Sequence, residues 1–158
     1  MMDTVKPIRA LTEEQITTLL KFAGFSRAPY YWLIYFLLNT GLRVGEAVHV
    51  TWQDLLDPEK PRPFLEVKAD WTKTKTSRSI PLSNGLMKAT DDWFRYCRTS
   101  MTYWPCLDYP VLPGPIKEGY SIRSIQRTIA KLGQDSLAVR VTPHMLRPEN
   151  WGGARLLS

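Results

Sequence analysis

The sequence predicts an α+β fold that is mainly helical and carries a small three-stranded antiparallel sheet. Apolar residues recur at helical spacing near both ends of the chain. Between these regions, three short β-type segments are separated by proline-rich turns. The chain has 158 residues, of which 44% are hydrophobic and 23% charged. This length and composition predict one domain with a substantial core.

The helices are predicted from the spacing of apolar residues and from the residues that typically begin or end a helix. Thr12 and Gln15 fit a capping box at the start of a helix over 11–23. The next helix, 28–38, is apolar on nearly every side, so it is expected to be central and buried. Gly41 is expected to end it in a left-handed conformation. Further helices are predicted at 42–48, at 83–98, at 121–132 and from Thr142–Pro143, an N-cap and first-turn pair.

The strands are predicted in the middle of the chain, where the apolar period changes. Segments 49–55 and 64–68 flank the turn DPEKPRP, and a third strand is predicted over 77–81, ending at a proline. The segment 101–119 contains four prolines and is expected to be a loop.

Composition limits the classes of function. The formal charge is +6 and the pI about 9.4, which favours a nucleic-acid partner without requiring one. Cys97 and Cys106 are too few for a disulfide framework or a zinc quartet, and both are expected to be reduced and structural. No signal peptide is recognisable, and the longest apolar run, 30–38, is shorter than the roughly 20 residues that cross a bilayer. A cytoplasmic protein is predicted.

A first candidate cluster is the string NTGLRVGE at 39–46. Arg43 follows the glycine turn after the central helix, and a guanidinium group suits a phosphate because its planar fork donates two parallel hydrogen bonds. Glu46 lies three residues later and is predicted to hold that guanidinium group in place. The alternative interpretation is a surface salt bridge at a helix start.

A second cluster is the predicted hairpin KTKTSRSIPL at 73–82, which contains Lys73, Lys75 and Arg78 among threonines and serines. These side chains are donors suited to phosphate. A lysine can also give up a proton to a leaving alkoxide. The alternative interpretation is an ordinary solvated hairpin.

A third cluster is HMLR at 144–147. His144 and Arg147 lie one helical turn apart at a predicted helix N-terminus, which favours an anion. Histidine can exchange a proton near neutral pH, and arginine can bind a phosphate. The alternative is a histidine packed beneath a helix start. His49 has no partner in sequence and is interpreted as structural.

Together, the three clusters resemble the catalytic domain of the tyrosine recombinase (phage integrase) family over roughly 11–147. The resemblance implies that Arg43 and Arg147 bind the scissile phosphate, with Glu46 supporting. It makes Lys73, eight residues before Pro81, the general acid and His144 an acid/base. DNA contacts are predicted at Lys75, Arg78, Arg123 and Arg127.

The resemblance also implies a mechanism and partners. A tyrosine hydroxyl would attack the phosphate to form a 3′-phosphotyrosyl bond, while the two arginines and the histidine stabilise the charge of the transition state. Neither a metal nor another cofactor is implied. The partners would be double-stranded DNA and other recombinase protomers assembled on it, with no membrane partner. The chain is expected to be a monomer in solution and nucleoid-associated when bound to DNA.

The chain departs from the family pattern after Arg147. The 11 residues that follow contain no tyrosine, and Tyr96, Tyr103, Tyr109 and Tyr120 all precede the histidine–arginine box. Pro148 would cost about 3 kcal/mol or more inside a continuing helix. The predicted organisation is therefore an incomplete catalytic domain over 1–147 and an atypical tail over 148–158, without the family's N-terminal core-binding domain.

Two functions are compatible with these observations. The first is site-specific recombination or integration, with this chain inactive alone because it lacks the nucleophile. The alternative is a non-catalytic DNA-binding remnant or regulator of a full-length recombinase, which predicts salt-sensitive duplex binding. A type IB topoisomerase shares the chemistry but fits this length poorly.

Overall fold

A computed structural model describes residues 10–26, 28–58, 60–100, 107–112 and 120–148. Its main helices are α1 (Glu13–Ser26), α2 (Ala28–Thr40), α5 (Asn84–Ser100) and α6 (Ile122–Leu137), with two single-turn helices, α3 (Val44–Ala47) and α4 (Trp52–Leu55). Short 3-10 helices cover Ala69–Trp71 and Pro143–Leu146. The mainly helical α+β prediction is confirmed. Residues 149–158 of the predicted tail, Cys106 and most of the 101–119 loop lie outside the described residues.

The sheet differs from the prediction. Within the described residues, the strands form two separate antiparallel pairs and not one three-stranded sheet. Strand β1 (Leu56–Asp57) pairs with β2 (Lys60–Pro61). Strand β3 (Phe64–Val67) pairs with β4 (Arg78–Pro81), with Val67 opposite Arg78. The register places Arg78 at the end of the ladder nearest the predicted lysine cluster.

The predicted strand at 49–55 is wrong, because most of this segment forms helix α4. The Asp54 carboxylate accepts hydrogen bonds from the Thr51 backbone N–H at 2.8 Å and from the Thr51 hydroxyl at 3.0 Å. A Thr-x-x-Asp spacing is a helix-start signature, and here it outweighs the β-propensity of the surrounding residues.

Helix α2 forms the centre of the core. It packs against α1 and α5, and its leucine, isoleucine, tryptophan and phenylalanine side chains are almost fully buried, whereas Tyr31 is exposed. Trp32 stacks with Trp52 and with Trp93, in each case with ring centroids 6.3 Å apart. The Trp32 indole N–H donates to the Val111 carbonyl at 2.8 Å, which ties the segment 107–112 to the core. Helix α2 is therefore held rigidly, and its C-terminal end is a fixed point on the surface.

The capping box of α1 and the cysteine of α5 were both considered in the sequence. The Thr12–Gln15 capping box is present, with reciprocal hydrogen bonds of 2.9 and 3.1 Å. Cys97 is buried in α5, and burial raises the pKa of its thiol to about 12. None of the helices in the described ranges combines the length and apolar character needed to cross a membrane.

Candidate active site

The turn that carries Arg43 is anchored at the end of α2. Gly41 has a φ of +67°, the left-handed conformation that glycine adopts without steric cost. The Thr40 hydroxyl donates to the Phe36 carbonyl at 2.8 Å and accepts the Leu42 N–H at 3.3 Å. Leu42 is buried, whereas the Arg43 side chain is exposed. Arg43 therefore projects into solvent from a turn that the core holds in place.

Glu46 contacts the backbone of Arg43 and not, as predicted, its guanidinium group. Its carboxylate accepts the backbone N–H of Arg43 at 2.9 Å and does not bond the Arg43 guanidinium group. The reason is its position in the first turn of α3, where a carboxylate can fold back onto an unsatisfied N–H. Glu46 thus fixes the backbone beneath Arg43.

The Glu46 carboxylate also pairs with Arg78. Arg78 donates from both terminal nitrogens, at 2.8 and 2.9 Å, in a bidentate ion pair. Glu46 is only 2% exposed, whereas 39% of the Arg78 side chain is accessible. A buried carboxylate therefore holds the guanidinium group of Arg78, and the DNA contact at this residue stays a prediction.

Two opposing effects set the ionisation of Glu46. Burial alone would raise the pKa of its carboxyl group. Hydrogen bonds from Arg78 and from the Arg43 backbone, together with the charges of both arginines, outweigh burial and lower the pKa. Glu46 is consequently an anion at neutral pH and a stable support for the cationic cluster.

The lysines lie on the segment between β3 and β4. Lys73 and Lys75 are exposed, and Lys75 has a φ of +56°. The buried Thr72 side chain organises this turn, since its hydroxyl accepts the Thr76 N–H at 3.2 Å and lies 3.1 Å from the Ala69 carbonyl oxygen. Arg78 then connects the end of the segment to α3.

The histidine–arginine box adopts a short 3-10 helix, Pro143–Leu146, in place of the predicted longer helix. Arg147 is extended because the residue before a proline avoids helical geometry. A single turn lacks the dipole of a long helix, so the expected helix N-terminus for an anion is absent here. His144 is exposed, and Arg147 is partly buried.

Arg147 joins the last cluster to the first. Its Nε donates to the Gly41 carbonyl at 3.0 Å, across 106 residues of sequence. Pro148 lies against Gly41, with its Cδ 3.3 Å from where a Cβ at position 41 would be. The guanidinium group of Arg147 is therefore oriented beside the turn that leads to Arg43.

The N-terminal end of helix α6 lies next to α3. The Ile122 Cδ1 is 3.9 Å from where a Cβ at Gly45 would be. Arg123 and Arg127 are exposed on this helix, and neither forms an ion pair with a described residue. Arg123 lies at the end of α6 that is next to α3, and Arg127 lies about one helical turn further along.

The three clusters found in the sequence converge on the turn 41–46. Arg78 reaches it through Glu46, and Arg147 reaches it through Gly41. Arg43 and Arg147 therefore both lie at this turn. Sequence reasoning missed Trp71, which stacks on His49 beside the lysine segment. Among the described residues, no group of three or more potential ligands is arranged to hold a metal ion.

Known structures similar to this chain include recombinases and integrases. The model of the phage integrase family matches residues 9–150. The XerA recombinase structure is similar at 24% identity and a TM-score of 0.68, covering 93% of this chain and 49% of that chain. A lambda integrase dimer bound to a COC' core site is similar at 22% identity and a TM-score of 0.64, covering 92% and 40%.

A third similar structure is the Tn1549 transposon integrase in complex with transposon right end DNA, at 19% identity and a TM-score of 0.65, covering 93% of this chain and 53% of that one. The chain thus spans about half the length of these solved structures. Among curated proteins, no sequence matches the chain.

Proposed function

The chain belongs to the phage integrase family, and from that premise we propose that it acts in site-specific DNA recombination through a 3′-phosphotyrosyl intermediate. The observation that carries the proposal is the convergence of three distant clusters on the turn 41–46. Arg147 reaches this turn through a 3.0 Å hydrogen bond to Gly41, and Arg78 reaches it through the bidentate pair with Glu46.

The proposed roles follow from the chemistry of each side chain. Arg43 and Arg147 bind the non-bridging oxygens of the scissile phosphate and stabilise the extra charge of the transition state. Lys73 gives a proton to the departing 5′-oxygen during cleavage, and the neutral amine takes a proton from the 5′-hydroxyl during rejoining. His144 exchanges a proton at the same phosphate. Glu46 keeps the backbone of Arg43 in place.

The nucleophile is assigned to no residue of this chain. All seven tyrosines precede His144 in the sequence. Tyr96 lies on α5, and Tyr109 and Tyr120 are partly buried outside the helices. Tyr103 is outside the described residues. We propose that the 158-residue chain binds and activates the phosphate but forms no covalent adduct by itself.

Double-stranded DNA and other recombinase protomers are the proposed partners. One similar structure is a lambda integrase tetramer bound to a Holliday junction, which is an assembly of that protein. Lys75, Arg123 and Arg127 are the proposed backbone contacts of this chain, because they are exposed cations without an ion pair among the described residues. The chain alone is proposed to be a monomer.

A second candidate function is that of a DNA-binding regulator. The observation in its favour is that Lys75, Arg123 and Arg127 are exposed cations without an ion pair among the described residues. A regulator needs only the phosphate contacts, whereas a recombinase also needs a competent acid and base. A rate measurement on an activated phosphate therefore separates the two functions.

The test is a joining reaction that needs no tyrosine. Duplexes are first selected from a randomised pool by their retention on the chain, and are then made with a nick carrying a 3′-p-nitrophenyl phosphate beside a 5′-hydroxyl. Attack of the 5′-oxygen forms the phosphodiester and breaks the phosphorus–aryl oxygen bond, releasing p-nitrophenolate. We expect the chain to accelerate this release, and Arg43→Ala to slow it by about 100-fold or more.

The matched control is Arg95→Ala, which removes the same charge from an exposed ion pair with Asp91 on α5. It should leave the joining rate unchanged. Duplex binding without any acceleration of joining would favour the regulator and overturn the catalytic proposal. Failure to retain any duplex would overturn both functions.

A further inference from the structure

The segment that carries Lys73 has its own internal order. It runs from Thr72 to Ser77, between the 3-10 helix Ala69–Trp71 and β4. The Lys75 N–H donates to the Thr72 carbonyl at 3.3 Å, and the Thr76 N–H donates to the Thr72 hydroxyl at 3.2 Å. A turn with these bonds moves as a unit, so its placement depends on what holds its two ends.

The upstream end is held by an aromatic stack. The indole ring of Trp71 lies parallel to the imidazole ring of His49, with centroids 6.0 Å apart and planes 12° apart. The Lys68 ammonium lies 5.4 Å from the centroid of the Trp71 ring, and it also lies 3.6 Å from an Asp54 carboxylate oxygen. Stacked and cation–π contacts of this kind restrain an aromatic ring that is only partly buried.

The downstream end is held by an ion pair. Arg78 directly follows the segment and forms two hydrogen bonds with the buried Glu46 carboxylate. A bidentate pair restrains direction as well as distance. Both ends of the Lys73 segment are therefore attached to the chain around α3.

The two attachment points belong to one backbone turn. The His49 N–H donates to the Glu46 carbonyl at 3.1 Å, and the Glu46 N–H donates to the Arg43 carbonyl at 2.9 Å. Arg43, Glu46 and His49 thus follow one another at intervals of three residues along the same turn. A shift of this turn moves the phosphate-binding arginine and both supports of the lysine together.

We propose that His49 and Trp71 are positioning residues which, with Glu46 and Arg78, clamp both ends of the Lys73 segment to α3 and so fix Lys73 relative to Arg43. This inference rests on the proposed function for its catalytic consequence. Its physical reason is that acid–base transfer at a phosphate requires the amine at hydrogen-bond distance, and a misplacement of about 1 Å can cost about 100-fold in rate.

The first measurement concerns the clamp alone and needs neither DNA nor catalysis. Amide hydrogen exchange is followed at Thr76 in the unmodified chain and in Trp71→Ala, His49→Ala and Trp71→Phe. We expect about tenfold faster exchange at Thr76 in both alanine variants, because the upstream end of the turn is released. Trp71→Phe should restore protection, since it keeps an aromatic face. Unchanged exchange in the alanine variants would overturn the clamp.

The second measurement asks whether the clamp serves Lys73. In the joining reaction, Trp71→Ala should lower the rate at saturating duplex about 10- to 100-fold while leaving the dissociation constant for duplex unchanged. The same substitution should have no further effect in a Lys73→Ala chain, because the residue that it positions is already missing. Tyr96→Ala, which removes an exposed ring that stacks on the buried Trp93 of α5, is the control and should leave exchange and joining unchanged.

The outcomes separate the two proposals. Equal losses from Trp71→Ala with and without Lys73 would overturn the positioning role, even where exchange at Thr76 responds. A chain that joins no activated duplex overturns the proposed function, and the exchange measurement then still decides whether the clamp exists.

Discussion

Glu46 shows at the scale of one residue how a buried charge can be maintained. Its carboxylate accepts one backbone N–H and a bidentate guanidinium group, so its hydrogen-bonding capacity is used although it is nearly inaccessible to water. A carboxylate buried without such partners would become protonated. The pairing with Arg78 therefore stabilises the fold as well as the candidate site.

The pKa of Glu46 predicts how stability depends on pH. Because the folded-state pKa is lowered, the stabilising contribution is complete above the unfolded value, about 4.3, and is lost as the pH falls through the folded value. At pH 7 we expect Glu46→Gln to lower the free energy of unfolding by about 1–3 kcal/mol, since Arg78 loses its charged partner. Urea unfolding at a series of pH values measures the difference.

Below the folded-state pKa of Glu46, the Glu46→Gln chain and the unmodified chain should have the same free energy of unfolding. Glu66→Gln is the control, because Glu66 lies exposed on β3 and contacts Ser79. Its effect at pH 7 should be smaller. A stability difference for Glu46→Gln that persists unchanged at acid pH would show that the carboxylate charge is not its source.

At the scale of elements, local sequence signals predicted the long helices well. The Thr12–Gln15 capping box and the apolar α2 were recognisable because both depend on residues within a few positions of each other. The segment 49–55 was predicted wrongly because its β-propensity was weighed above the Thr51-x-x-Asp54 signal. The split of the sheet into two pairs could not be read locally, since strand pairing joins residues as distant as Phe64 and Pro81.

The packing of α6 against the segment before the histidine–arginine box depends on Gly133. A Cβ there would lie 2.7 Å from the Val141 Cβ and 3.1 Å from the Val139 carbonyl oxygen. Alanine would gain up to about 1 kcal/mol in helix propensity. The steric cost of overpacking, about 1–3 kcal/mol, should exceed that gain. We therefore expect Gly133→Ala to lower the free energy of unfolding, measured by urea denaturation.

Gly45→Ala is the matched control for Gly133→Ala. A Cβ at position 45 would meet only the Ile122 Cδ1, at the ordinary contact distance of 3.9 Å. This variant should be as stable as the unmodified chain or slightly more stable. A Gly133→Ala chain that gained stability as well would mean that the Val141 contact relaxes without cost.

At the scale of the whole molecule, the candidate site is assembled from distant parts of the chain. Arg147 and Gly41 are 106 residues apart, and Arg78 and Glu46 are 32 apart. Sequence motifs identified residues suited to a phosphate, but pattern alone could not show which carboxylate pairs with which arginine. The pairing of Arg78 with Glu46 was not predicted for this reason, and Trp71 had no signal beyond its nearness to Lys73.

The distribution of charge predicts how duplex binding depends on salt. Several basic residues are neutralised within α5, as in the pairs Lys88–Asp92 and Arg95–Asp91, whereas Arg123 and Arg127 have no such partner among the described residues. Each phosphate that a cation neutralises lowers the slope of log K against log salt by about 0.9. We expect Arg123→Ala with Arg127→Ala to weaken duplex binding and to make this slope shallower by about 2, measured by fluorescence anisotropy at several salt concentrations.

Lys88→Ala with Arg95→Ala removes the same charge from α5 and should leave the slope nearly unchanged. Equal changes in both double variants would indicate that net charge, and not a defined face of α6, governs binding.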